Sequence, residues 1–107
     1  MTSTNVNDNS QSSRSRGTFE TAKAADYEIR LSKHFGHKIE AREVDGGTLL
    51  VFEDGTAHLS AEEDQLVVAV EAPSAEGRDK VAHIIESHLE RFAFREPDTK
   101  MVWGTVA

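Results

Sequence analysis

The chain has no cysteine, so disulfide staples, thiolate nucleophiles, iron–sulfur ligation and cysteine-type zinc sites are excluded together. It also lacks any apolar run near the ~20 residues that a membrane-spanning helix needs. Its polar N-terminus has no apolar core of a secretory leader. No membrane partner and a cytoplasmic setting are therefore expected. Positive charge is scarce, with 12 Lys and Arg against 19 Asp and Glu and a formal net charge of −7. Proteins that track phosphate backbones present a basic stripe, so no nucleic-acid partner is expected either. The common catalytic templates are missing as well. Asp45-Gly46-Gly47 is too short to cradle a phosphate and opens a strand rather than a helix, and no Gly-x-Ser-x-Gly elbow occurs. These absences point away from an enzyme and towards a binding or accessory module.

What is present is a soluble globular balance, 37% hydrophobic and 29% charged over 107 residues, enough for one small domain. Residues 1–17 are dominated by Ser, Thr, Asn, Asp and Gln. Such a segment buries too little apolar surface to offset its ordering entropy, so a disordered polar tail is expected there and a single domain over 18–107. A short strand or loop is allowed at 16–20.

The first helix is expected from Thr21, as N-cap, to about Phe35, with Ala24, Tyr27, Leu31, His34 and Phe35 on one inner stripe. Gly36 sits where a left-handed residue would end it. Four strand-like runs follow, His37–Val44, Thr48–Glu53, Thr56–Ala61 and Gln65–Ala72. Asp54-Gly55 reads as a type I′ hairpin turn, which would set Glu53 opposite Thr56 and Leu50 opposite Leu59. Period-two alternation then puts Leu50, Phe52, Ala57 and Leu59 on the core face, joined by Leu66, Val68 and Val70. The opposite face would carry Leu49, Val51, His58, Val67 and Ala69, more apolar than a solvent face should be, which suggests self-association or a protein partner. Ser74 is the expected N-cap of a second helix, whose inner stripe is Val81, Ile84, Ile85, His88, Leu89 and Phe92. A last strand over 100–106 carries Trp103. The order α-β-β-β-β-α-β predicts an α+β domain of two layers, an antiparallel sheet with two helices packed mainly on one face.

Three stretches carry a family resemblance: Lys33-His34-Phe35-Gly36-His37-Lys38, Ser87-His88-Leu89-Glu90-Arg91-Phe92-Ala93-Phe94-Arg95-Glu96, and Val102-Trp103. In order and spacing, over about Thr18 to Trp103, the chain resembles a bacterial family catalogued as domain of unknown function 2218. The resemblance implies no assigned activity. Some members occur in iron- or siderophore-uptake settings, which gives a contextual lead towards iron, haem or siderophore handling.

The five histidines are the residues suited to metal or haem ligation. His34 and His88 fall on inward stripes, one per helix, and His37 is expected at the edge of the first strand. Together, with a carboxylate such as Glu40, they would suit zinc or ferrous iron. The competing reading is that His34 caps a helix end and His88 is a hydrogen-bonded core histidine. Arg91 and Arg95, four apart, could form a fork for a carboxylate or phosphate of a cofactor, with His37 nearby. Alternatively they make surface ion pairs with Glu90 and Glu96.

Overall fold

A computed structural model describes residues 12–106. Six strands and two helices follow in the order β1 (Ser13–Glu20), α1 (Ala24–Gly36), β2 (Glu40–Val44), β3 (Gly47–Val51), β4 (Thr56–Ala61), β5 (Gln65–Ala72), α2 (Ala75–Phe92) and β6 (Val102–Val106). The strands form one antiparallel sheet in the order β2-β3-β4-β5-β1-β6. The α+β class and the single helical layer agree with the expectation from sequence. No helix among the described residues is long and apolar enough to cross a membrane.

The largest departure is β1. Ser13–Gly17, expected within a disordered tail, forms a central strand between β5 and β6. Composition misleads here because the strand is ordered by its backbone, whose donors and acceptors are satisfied by ladders on both sides. At Gly17 the absence of a side chain is required by what lies above it. A Cβ on Gly17 would stand 2.5 Å from Met101 Cε and 2.7 Å from Trp103 Cε3. The part of the expected tail at 1–11, and Ala107 at the other end, lie outside the described residues.

The turns also differ. Asp54-Gly55 is not a two-residue turn: Val51 pairs with Thr56 and Leu50 with Ala57, so residues 52–55 form a longer loop closed by Phe52 N–H donating to Gly55 O at 2.8 Å. Gly55 lacks a positive φ. Its missing side chain instead admits the Glu71 carbonyl, which a Cβ would meet at 2.6 Å. The register is shifted by two residues, an even number, so every side chain keeps its face. The two-residue hairpin loop is Asp45-Gly46, between paired Val44 and Gly47, with Gly46 at φ 82°.

One parity of each strand builds the core. Phe19, Leu50, Ala57, Leu59, Leu66 and Val68 are fully buried with Leu31, Val81, Ile85 and Leu89 from the helices. Thr48 Oγ1 donates to Glu28 Oε2 at 2.7 Å and ties α1 to β3. Ser74 caps α2 as expected, accepting from Gly77 N–H at 3.0 Å. Thr21 does not cap α1, which begins at Ala24 after Lys23 without a side-chain cap. Its hydroxyl accepts from Lys23 N–H and donates to Glu96. Gly36 is helical rather than left-handed, and His37 is the capping residue. Lys38 and Ile39 N–H both donate to the Phe35 carbonyl, which delays β2 until Glu40.

Candidate functional site

Helical spacing brings His34 of α1 and His88 of α2 together, with ring centroids 4.7 Å apart and ring planes tilted by 49°. Aromatic rings surround them. Phe35 lies 4.8 Å from His88 and 5.2 Å from Phe52, and Phe92 lies 6.0 Å from His34. His88 Nδ1 donates to the Ile84 carbonyl at 2.8 Å. A carbonyl only accepts, so Nδ1 carries a proton and serves as the donor. Burial lowers the pKa of His34, and repulsion from His88, Lys38, Arg91 and His37 lowers it further. Of the three histidines expected to share a metal site, His34 and His88 therefore meet. His37, displaced from its expected strand edge to the end of α1, is exposed and contributes repulsion. Among the described residues no group of three or more His, Asp and Glu side chains converges to hold a metal ion.

On the other side of Phe92 a cleft of about 310 Å³ opens between α1 and the turn after α2. Its walls are Lys23, Asp26, Tyr27 and Arg30 from the α1 side and Phe92, Phe94 and Arg95 from the other. The α2 helix ends at Phe92, so Arg91 and Arg95 do not form the helical fork expected from their spacing. Arg95 lies in the following turn with its guanidinium 5.5 Å from the Phe94 ring centre, while Arg30 sits 6.0 Å from that of Phe92. Arg91 is exposed and does not line the cleft. Neither Arg91 nor Arg95 is ion-paired among the described residues, so Glu90 and Glu96 are not their partners.

Glu96 has another task. Its carboxylate accepts from Tyr27 Oη and from Thr21 Oγ1, the latter at 3.1 Å, fastening the turn after α2 to the start of α1. Burial first, then the Glu96 hydrogen bond and charge, push the Tyr27 pKa up to about 12. Phe94, 69% exposed, is an uncommon surface aromatic. Lys23 and Arg30 were not legible as site residues. Lys23 immediately precedes α1 and Arg30 lies on its exposed side, where charge is ordinary, and only the return of the chain after α2 brings Arg95 and Phe94 to them.

Trp103 projects from β6 towards the covered side of the sheet, and its Nε1–H donates to Glu86 Oε1 of α2 at 2.8 Å. It closes the edge of the core rather than stacking in the cleft. The opposite sheet face is covered by no described element. Its groove has a volume of about 480 Å³.

A two-layer arrangement of one sheet and paired helices, with an aromatic-cationic seam, defines a small α+β domain. Comparison places it within a family. The profile of an uncharacterised family conserved in bacteria, domain of unknown function 2218, matches residues 16–104, and the chain belongs to that family. A similar fold occurs in PA4090 from Pseudomonas aeruginosa, a structure determined by NMR. It is 28% identical with a TM-score of 0.72, covering 86% of this chain and 95% of that one. No functionally curated protein matches. Neither the family description nor the name of this relative mentions iron, haem or a siderophore.

Proposed function

We propose that this domain is a binding module for a small planar anion, held in the cleft between α1 and the turn after α2. The observation that carries the reading is the convergence of Lys23, Arg30 and Arg95 on the rings of Tyr27, Phe92 and Phe94, with Asp26 the single acidic residue in the lining. In a chain of net charge −7 such a concentration of cations against aromatic faces is a local reversal. An aromatic carboxylate or catecholate would set its ring against Phe92 and Phe94 and its charge between the guanidinium groups. Turnover is not what this lining favours. Tyr27, with its raised pKa and its proton engaged by Glu96, is a fixed donor rather than a nucleophile.

The iron lead takes a particular form in this reading. Structural zinc and comparable ferrous sites draw on three or four protein ligands, whereas His34 and His88 offer two imidazoles. Iron would therefore enter as an anionic chelate, such as a ferric catecholate, or as haem with its propionates. Calorimetric titration with salicylate, ferric catecholate, haemin, zinc and ferrous iron separates these cases. The planar anions should bind, and Arg30→Gln with Arg95→Gln should weaken them by about tenfold or more, equivalent to about 1.4 kcal/mol. Tighter binding of bare zinc that is abolished by His88→Gln, with no response to the anions, would replace this reading by the histidine site.

A further inference from the structure

The uncovered sheet face carries two rows of side chains whose composition is fixed by strand register. One row runs Arg42, Leu49, His58, Ala69, Arg16 and Gly104 across all six strands. The next runs Glu40, Val51, Thr56, Glu71 and Arg14. The charges in these rows cancel in pairs, with one exception. Arg42 Nε stands 3.0 Å from Glu40 Oε2. Arg14 Nε stands 3.8 Å from Glu71 Oε2, which also accepts from Ser12 Oγ at 2.8 Å. Among the described residues no carboxylate is paired with Arg16.

The unpaired guanidinium borders a depression. Ala69, exposed and small, separates Arg16 from His58, whose backbones stand two strand spacings apart, roughly 10 Å. Leu49 continues the row beyond His58 as a half-buried apolar surface, with Val51 two residues along the same strand. The groove formed here holds about 480 Å³ and is lined by Arg14, Arg16, Leu49, Thr56, His58 and Ala69 among others.

We propose that this groove is a second binding site, for an amphipathic monocarboxylate. The carboxylate would sit on Arg16 with His58 as a further donor, and the hydrocarbon would lie over Ala69 towards Leu49 and Val51. A single surplus positive charge matches one carboxylate, and the apolar strip beside it matches a chain rather than a second charge. This site is on the opposite side of the sheet from the helix-layer cleft and does not depend on it.

Chemical-shift titration of the full chain with butanoate, hexanoate, octanoate and octanol provides the test, with light scattering run first to establish the oligomeric state. The carboxylates should shift the amides of Arg16, His58 and Ala69, with affinity rising by up to about fourfold per methylene over part of the series. Octanol should bind at least about tenfold more weakly than octanoate, and Arg16→Gln should remove that preference while Arg16→Lys retains most of it. The proposal is overturned if millimolar octanoate leaves these amides unmoved, if octanol equals octanoate, or if a dimer formed through this face excludes the ligand. Were Arg16→Gln to fold poorly, the comparison of octanol with octanoate on the unaltered chain would still decide.

Discussion

The two faces of the sheet use the same alternating strands for opposite ends. On the helix-covered face Phe19, Leu50, Leu59, Leu66 and Val68 are fully buried and packed against α1 and α2. On the bare face, the alternate positions of the same strands carry Arg14, Arg16, Thr56, His58, Ala69 and Glu71, with Leu49 and Val51 half-buried beside them. Large side chains facing the core supply stability, while those facing away are free to serve recognition. The lesson extends to the helix layer, where the cleft proposed to bind an anion lies at its rim, beside Phe92, and not in the core beneath it.

Truncation should separate the faces most strongly. Leu59→Ala or Leu89→Ala, each at a site with no exposure, should cost about 2–5 kcal/mol in urea unfolding. Leu49→Ala on the bare face should cost under about 1 kcal/mol. Equal losses would erase the distinction. Glycines sharpen it next. Gly17→Val would drive a side chain into Met101 and Trp103 and should destabilise by about 1–3 kcal/mol. Gly104→Val, where a Cβ meets nothing within 4 Å, should stay within about 0.5 kcal/mol of the parent.

Two titrations probe the helix layer itself. Tyr27 is the only tyrosine, so phenolate absorbance reports it alone. Its folded pKa of about 12 exceeds the ordinary 10.0, so the folded state holds its proton longer than the unfolded chain. That stabilisation is complete below pH 10 and is lost as pH rises towards 12, a loss that Tyr27→Phe should remove. For His34 the sign is reversed. Its pKa is depressed below the ordinary 6.5, so its contribution is complete above that pH and falls as acid protonates the unfolded chain first. Arg91→Gln, by removing one repelling charge, should raise the His34 pKa as followed by imaging its ring protons in NMR. An unchanged midpoint would show that Arg91 does not act on this histidine.

Much of the architecture was legible because it depends on local alternation. Strands β4 and β5, the Ser74 cap and the α2 stripe follow directly from side-chain period and capping chemistry. The even register error at the β3–β4 loop left the faces intact, since face depends only on parity. Strand β1 was illegible for a physical reason: Gly17 has no side chain because Met101 and Trp103 press on that strand, and no local pattern reveals a distant neighbour. The His34–His88 contact was foreseeable from the two inward stripes. The cleft was only half visible. Arg95 stood out beside Phe94, but the early end of α2 and the approach of Lys23 and Arg30 are tertiary facts.

The claim that the helix layer's rim holds the binding site is tested most directly by a salicylate titration followed at backbone amides. The account predicts saturable shifts centred on Lys23, Arg30, Phe94 and Arg95, weakened by added salt and by Arg30→Gln with Arg95→Gln. Saturable shifts elsewhere in the chain, or none at these four positions, would contradict it.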